Sequence, residues 1–201
     1  MEILQGPTVC KVSFVETRLR LAITTNRCNG ASVVSDRRHN VVGTVVRTSH
    51  DVADDSAADS SMLAVEYEVI ALADGVSPSD LLPTGRRLVA RPGLDVRPRQ
   101  AVCYVPNGAG EVCGSIGSIG NGRFVVDKAG IDKRDIGAPL YFMTGGDQAV
   151  ILGLVESIRG GALEAESWHA VMKQVVTDAR VSGVRQPVHL ISHRVNRKSG
   201  R

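Results

Sequence analysis

The sequence predicts an all-β protein that ends in a single helix, and three observations lead to this prediction. The 201 residues contain many short β-branched stretches, and 21 Gly and 8 Pro indicate frequent turns between them. These stretches follow one another without intervening helical periodicity, which favours a sandwich or barrel over a parallel α/β sheet. One segment near the C-terminus, in contrast, has the apolar spacing of a helix.

The predicted strands begin with residues 41–46, which are almost entirely β-branched. Residues 63–72 alternate, with apolar Leu63, Val65, Tyr67 and Val69 on one face, as a half-buried strand should. The remaining strand candidates are 87–90, 101–105, 122–126, 140–143 and 149–155. A helix is predicted over 163–180, because its apolar residues recur at three- and four-residue spacing. These residues are Trp168, Val171, Met172, Val175, Val176 and Ala179.

Composition excludes several classes of protein. Hydrophobic residues make up 43% and charged residues 22%, which is typical of a globular domain and not of a disordered chain. No apolar run is long enough to span a membrane, so we expect no membrane partner. The net charge of +3 and an aromatic content of 3% argue against a stacking nucleic-acid interface. Residues 1–7 lack a basic start and an apolar run, so we expect an unsecreted protein.

The four cysteines form no CxxC motif and no cluster with zinc spacing, so we expect neither a metal site nor a cofactor. Cys103 and Cys113 flank a turn and could face each other across a hairpin. Since no signal peptide is visible, free buried thiols are the expected state of all four cysteines.

The most informative stretch is residues 133–142, which read Lys-Arg-Asp-Ile-Gly-Ala-Pro-Leu-Tyr-Phe. Residues 149–157 follow with Ala-Val-Ile-Leu-Gly-Leu-Val-Glu-Ser. Together they resemble the nucleophile region of the trypsin-like, or chymotrypsin-fold, serine proteases. There, Gly-Asp-Ser-Gly-(Ala/Ser/Gly)-Pro-Leu precedes a strand reading Val-x-Gly-(Ile/Leu)-Val-Ser. The resemblance implies a double β-barrel of the chymotrypsin/trypsin-like type with a C-terminal helix.

The resemblance also implies a domain organisation, and it covers about residues 31–183. It predicts an N-terminal arm at 1–30, barrels at about 31–95 and 96–160, the helix at 163–180 and a basic tail at 184–201. Compact domains of this fold without a disulfide framework resemble RNA-virus proteases. A Gln-Gly junction at Gln5 resembles a viral processing site and is a faint second indication of viral origin.

The family's catalytic His ends a first-barrel strand in a pattern like Val-(Val/Leu)-Thr-Ala-Ala-His. Residues 45–50 read Val-Val-Arg-Thr-Ser-His, which places His50 at that position. The family's Asp precedes an apolar pair, and Asp80 before Leu81 and Leu82 fits this description, while Asp74 is the competing candidate.

The departures from the family pattern predict the function. Ile136 stands at the nucleophile position, where covalent catalysis needs a hydroxyl or thiol. Arg134 replaces the Gly whose backbone N–H helps to form the oxyanion hole, so that site is also predicted to be degenerate. Ser115 and Ser118 are candidate substitute nucleophiles, but their stretch lacks the Gly-x-Pro turn that follows the family's Ser, and Cys113 is a candidate only if this alignment is wrong. The sequence therefore predicts a pseudoenzyme with no small-molecule substrate.

A catalytically inactive protease fold would be kept as a structural or protein-binding module, such as a capsid-associated viral protein in the host cytoplasm or the virion. The basic tail would tether it to a protein assembly or to nucleic acid. The tail residues are Arg185, Arg194, Arg197, Lys198 and Arg201. Two alternatives stay open: an active viral processing protease with an unrecognised nucleophile, and an RNA-binding accessory protein.

Overall fold

The structure of the chain is a computed structural model, and it describes residues 1–28, 30–49, 65–127, 132–159 and 161–181. Fourteen strands in the described residues form two seven-stranded sheets, and one helix follows them. This arrangement confirms the predicted all-β double barrel with a C-terminal helix. Within the described residues, no helix has the length and apolar character needed to cross a membrane.

The first sheet has the strand order β2-β1-β5-β6-β7-β4-β3, and its strands pair antiparallel. It stays open, with β2 and β3 at its edges. Its inner face packs into an apolar cluster built around Ile3, Val34 and Ile70. The strand bounds are β1 Glu2–Gln5, β2 Thr8–Lys11, β3 Phe14–Glu16, β4 Leu21–Thr24, β5 Val33–Ser35, β6 Val41–Thr48 and β7 Glu68–Leu72.

The prediction of an N-terminal arm at 1–30 is wrong, because four strands of the first sheet lie within it. The β1 strand pairs with β2 and also with β5, so the start of the chain is integral to the first barrel. These strands have only three or four residues each, which leaves too little alternation in the sequence for them to be recognised.

The second sheet has the order β12-β9-β10-β11-β14-β13-β8, and it closes because β12 also pairs with β13. Six strands thus form a barrel, and β8 adds to its outside in parallel with β13. The interior is filled by large buried side chains such as Tyr104, Phe124 and Leu140. The strand bounds are β8 Arg87–Val89, β9 Ala101–Tyr104, β10 Val112–Gly120, β11 Arg123–Asp127, β12 Pro139–Met143, β13 Gln148–Arg159 and β14 Ala162–Ser167.

The helix α1 spans Trp168–Val181, so the predicted start at residue 163 is five residues too early. Residues 162–167 form β14 instead, where Leu163 pairs with both β11 and β13. The Ser167 hydroxyl accepts a hydrogen bond from the Ala170 N–H, so Ser167 caps the helix and sets its start. The helix packs on a cluster that draws buried residues from both barrels, and the Trp168 ring lies 5.1 Å from that of Phe14.

Candidate functional site: the loop at Ile136 and the ionic groups beside it

The loop that carries Ile136 begins with a short 3-10 helix at Lys133–Asp135. The Asp132 side chain accepts from the Arg134 N–H at 3.0 Å, and the Asp132 N–H donates to Asp135 Oδ2 at 3.1 Å. Gly137 follows with a φ of 82°, and a Cβ there would collide with the Lys11 carbonyl oxygen. The loop therefore needs Gly137 in order to lie against β2 of the first barrel.

Ile136 offers no reactive atom and is held as an apolar contact. Its half-buried side chain packs against the apolar cluster of the first barrel, which contains Cys10 and Cys28. Its carbonyl oxygen accepts from the Lys11 N–H at 2.9 Å. The next residues join the second barrel, since the N–H of Gly137 donates to the Val155 carbonyl at 2.9 Å. Ile136 thus lies at the junction of the two barrels.

The backbone N–H groups that could stabilise an oxyanion are engaged within the loop itself. The Arg134 N–H donates to the Asp132 carboxylate, and the Ile136 N–H donates to the Lys133 carbonyl at 3.4 Å. A donor bonded to its own loop is not aimed at a reacting carbonyl. Arg134, two residues before Ile136, therefore departs from the family pattern in geometry as well as in sequence.

Asp135 anchors the loop through a buried ion pair. Its fully buried carboxylate accepts from Lys11 Nζ at 2.6 Å and from the Asn107 N–H at 3.0 Å. The ammonium group also donates to the Val105 carbonyl at 2.9 Å, and the Lys11 side chain is only 11% exposed. Because the contacts to Lys11, Asn107 and Val105 link the loop to β2 and to the segment after β9, this pair holds both barrels around the loop.

A second ionic group was missed by the sequence reasoning, and it is centred on Arg27. Arg27 lies in a 3-10 helix at Asn26–Cys28, immediately after β4. Its Nε donates to Glu156 Oε1 at 2.5 Å and lies 2.9 Å from Glu66 Oε2. The Thr25 hydroxyl donates to the other oxygen of Glu156 at 2.8 Å. This group therefore joins two elements of the first barrel to β13 of the second.

The charges of this second group perturb one another. The hydrogen bond to Glu156 raises the pKa of the Arg27 guanidinium. Burial, together with the neighbouring Glu156 carboxylate, raises the pKa of Glu66. Next to them, the Arg123 guanidinium contacts Glu166 Oε1 through Nη2 at 2.7 Å and Nε at 2.8 Å. Burial raises the pKa of Glu166 to about 7, although Arg123 opposes the shift.

A cleft lies on the Lys11 side of the loop. It has a volume of about 450 Å³, and Lys11, Phe14, Asp80, Leu81, Val105 and Tyr141 are among the residues that line it. Arg27 and Glu66 lie outside this lining. Leu81, at 56% exposure, leaves a large apolar side chain open at the cleft. In the part of the chain that the structure describes, no group of His, Cys, Asp and Glu residues is arranged to hold a metal ion.

The structure describes some of the predicted site residues and not others. Asp80 lies in the cleft, where its carboxylate is 3.4 Å from Arg87 Nε, and Asp74 lies in the turn after β7. His50 and the tail residues Arg185, Arg194, Arg197, Lys198 and Arg201 lie outside the described residues. Their predicted roles stay predictions.

The expectation of free thiols is wrong, since all four cysteines are paired. Cys10 bonds to Cys28, and Cys103 bonds to Cys113. The Cys103–Cys113 bond joins residues that face each other directly in the β9–β10 pair, as the hairpin allowed, and the expectation of free thiols rested only on the lack of a visible signal peptide. Cys113, weighed above as a substitute nucleophile, therefore has no free thiol.

Sequence comparison finds relatives of this chain in Mycobacterium tuberculosis. It is 36% identical over 183 residues to the uncharacterized protein Rv1815 of Mycobacterium tuberculosis, which covers 90% of this chain and 83% of that relative. The chain belongs to the Rv1815 family. No protein-family model matches it. The identity extends over most of both chains, so the whole two-barrel unit is shared within this family.

Solved structures show which wider fold the Rv1815-related chain adopts. A glutamic acid-specific serine protease superposes with a TM-score of 0.60 at 18% identity, covering 90% of this chain and 95% of that one. A scabies mite inactivated protease paralogue superposes with a TM-score of 0.57 at 9% identity, covering 90% and 93%. Both a protease and an inactivated paralogue share this trypsin-like fold. The fold alone therefore leaves the activity open, and the site residues have to decide it.

The signal that could have led to Arg27 is local and lies in the sequence. The stretch from Ile23 to Arg27 reads Ile-Thr-Thr-Asn-Arg at the end of a strand, close to the pattern sought for the family's His. A search for a histidine after a strand does not find this stretch, because Arg27 stands where the histidine is expected. Glu66 and Glu156 carry no such signal, because only the fold brings them to Arg27.

Proposed function

We propose that this protein is a catalytically inactive member of the trypsin-like protease fold that works by binding another protein. The observation that carries the proposal is Ile136, because an isoleucine at the nucleophile position has no atom that can form an acyl-enzyme. The internal engagement of the Arg134 and Ile136 N–H groups supports it, since a protease would need such donors for the oxyanion.

The two disulfides bear on where the protein works. Disulfides persist in oxidising compartments and are rare in reducing ones. Pairing of all four cysteines therefore favours a location outside the cytoplasm, in place of the intracellular location expected from the sequence. The predicted viral origin and capsid association gain no support from the relatives, which are mycobacterial proteins. The partner we propose is accordingly a protein of an oxidising compartment.

A protein partner is favoured over RNA for the described part of the chain. Two of the arginines between the barrels are engaged with acids: Arg86 donates to Glu111 at 3.0 Å, and Arg87 pairs with Asp80. Large apolar side chains are exposed at Leu81 and Met143, to 56% and 47%. Leu81 also lines the cleft, so its exposed side chain offers a protein partner an apolar contact at a concave surface.

The absence of catalysis is tested by hydrolysis of a peptide library and of casein by the full chain. A working trypsin-like protease under the same conditions serves as the positive control. We expect no cleavage above the buffer rate across the neutral pH range. Reproducible cleavage that persists through repurification, and that stops when His50 is replaced by Ala, would overturn the proposal.

The binding role is tested in cells of the source organism with a photo-cross-linking residue at position 81 or 143. We expect one defined protein adduct to recur from at least one of these positions. The same cross-linker at Leu19, which is 44% exposed at the turn between β3 and β4, is the matched control. Adducts of equal amount and identity from all three positions, or none from any, would count against a specific partner.

A further inference from the structure

Arg27 is connected to the Ile136 loop from two directions. On one side, Cys28 follows Arg27 and is bonded to Cys10, and both cysteines belong to the apolar cluster on which Ile136 packs. The residue after Cys10 is Lys11, whose N–H donates to the Ile136 carbonyl. This route runs entirely through the first barrel and places the Asn26–Cys28 turn next to the loop.

On the other side, the connection runs through the second barrel. The backbone of Val155 exchanges hydrogen bonds with the loop, donating to the Ala138 carbonyl at 3.0 Å and accepting from the Gly137 N–H. Glu156 follows Val155, and its buried carboxylate accepts from Arg27 Nε. Arg27 and Glu156 are 129 residues apart in sequence, so only the assembled two-barrel fold brings them together.

Position 136, Arg27 and Glu66 follow one another in the order of a catalytic triad, but their residue types differ from those of the triad. A nucleophile needs a base within reach, and the base needs a third group that orients it. Arg27 is linked to the loop of position 136 through the Cys10–Cys28 bond and through Glu156, and beside Arg27 stands the carboxylate of Glu66, two residues before β7. Arginine cannot act as the base, because it stays protonated at any pH that a folded protein survives.

We infer that Arg27 and Glu66 occupy the positions of the general base and its orienting acid, so that all three positions of the triad have been replaced. The Arg27, Glu66 and Glu156 group then forms an ionic bridge between the barrels where a protease would hold its substrate-facing base. This inference rests on the proposed function and extends it, because it gives the inactive site a second missing group besides the nucleophile.

The inference predicts which substitutions rebuild a reactive site. In a background of Arg134→Gly and Ile136→Ser, adding Arg27→His and Glu156→Ser should permit labelling by a fluorophosphonate. In that reaction the serine oxygen–phosphorus bond forms, the phosphorus–fluorine bond breaks, fluoride leaves, and the new imidazole at position 27 takes the hydroxyl proton. We expect labelling at least tenfold faster than in the background variant.

A matched control places the imidazole elsewhere. Arg18→His, at an exposed turn of the first barrel, added to the same background with Glu156→Ser should leave the labelling rate unchanged. The inference is wrong if adding Arg27→His does not raise the labelling rate. It is also wrong if a variant that keeps Arg27 is labelled and this labelling is lost with His50→Ala. Labelling of the unmodified chain would instead overturn the proposed function, so the two failures are distinguishable.

A second measurement keeps the inference testable if the multiple variant does not fold. The single variant Arg27→His puts an imidazole between the carboxylates of Glu66 and Glu156, and its titration can be followed by NMR. We expect its pKa to lie at least one unit above the usual value of about 6.5, because nearby carboxylates favour the charged form. Arg18→His should titrate near the usual value. An imidazole at position 27 that titrates like the one at position 18 would overturn the inference.

Discussion

Two ionic groups flank the loop of Ile136, and they differ in which residues of the protease pattern they contain. On one side, Lys11 pairs with Asp135, the acid that the family pattern contains in its nucleophile loop. On the other side, Arg27 meets Glu66 and Glu156, and its guanidinium cannot accept a proton from a serine at position 136. If Arg27 holds the position of the general base, as inferred above, the contacts that shape the loop persist while those that would make it reactive are absent.

The two groups also differ in their exposure to solvent. The Asp135 carboxylate is fully buried and Lys11 is nearly so, whereas the Arg27 side chain is 52% exposed. Removing one partner of a buried ion pair strongly destabilises the fold, because the other charge stays buried without a counter-charge. A half-exposed guanidinium is partly solvated, so its removal lowers the free energy of unfolding by less. The loop anchor should therefore matter more for stability than the Arg27 group.

The largest effect is expected at the loop anchor. Asp135→Asn leaves the Lys11 ammonium buried without its counter-charge, and it should lower the free energy of unfolding by about 3–5 kcal/mol. Urea denaturation measures this change. Adding Lys11→Met to the same chain should recover part of the loss, since it removes the orphaned charge. If Asp135→Asn costs no more than Asp80→Asn, whose half-exposed pair with Arg87 should be worth under about 1 kcal/mol, the loop anchor is not what holds this region.

The next effect is a pH dependence centred on Glu166. Its pKa is raised from 4.5 to about 7 in the folded protein, so the folded state holds this proton more tightly than the unfolded state does. The resulting stability is present below pH 4.5 and is lost as the pH rises towards 7, by an amount on the order of 3 kcal/mol. Unfolding measured at several pH values should show this loss in the wild type and not in Glu166→Gln.

Glu164 provides the matched control for that experiment, because it lies on the same strand and bonds to the Ser157 hydroxyl. The variant Glu164→Gln should keep the pH dependence of the wild type. Equal pH dependence in the wild type and Glu166→Gln would mean that burial in the Arg123 group does not shift the titration of Glu166.

A smaller effect is expected at Ile136 itself, between the two ionic groups. Ile136→Ser removes a half-buried apolar side chain from the cluster of the first barrel and should cost about 1–2 kcal/mol of stability. Ile136→Val should cost less than half as much, because it removes a single methyl group. Urea denaturation of both variants gives the comparison. A serine variant that is more stable than the wild type would indicate that Ile136 does not pack on the cluster.

The smallest effect is expected at Arg134, on the exposed surface of the same loop. Its guanidinium bonds to Asp132 through Nε and Nη2, and these hydrogen bonds lower the pKa of Asp132. Exposed pairs of this kind contribute little, so Arg134→Ala should leave the thermal midpoint unchanged within error at physiological salt. A large drop in the midpoint, abolished by added salt, would show that the loop depends on its surface charges as well as on Asp135.

The second barrel could be predicted from the sequence more fully than the first. Its strands around 101–105, 122–126 and 149–155 are apolar and β-branched, and turn residues separate them, so periodicity finds them. The strands at Glu2–Gln5 and Thr8–Lys11 are short and carry mixed polarity, so the sequence predicts an arm there in place of strands. Residues 163–167 fit helical spacing and strand alternation alike, and only pairing with neighbouring strands selects the strand.

The site could be predicted only in part, for a related reason. Ile136 and Arg134 stand in a contiguous motif, so their departure from the family pattern is readable along the chain. Arg27, Glu66 and Glu156 become neighbours only when the two barrels meet, and their residue types differ from those sought. The sequence places Cys103 and Cys113 across a hairpin, but it gives no sign that Cys10 and Cys28 meet, and the lack of a visible signal peptide favoured free thiols for all four.

The measurement that tests the central claim most directly is the intact mass of the wild-type chain after prolonged exposure to a fluorophosphonate. The same chain unfolded beforehand controls for non-specific modification. With isoleucine at position 136, we predict a mass that is unchanged and identical to that of the untreated protein. A single stoichiometric adduct on one serine, formed only by the folded chain, would contradict the account, because the protein would then hold an activated nucleophile.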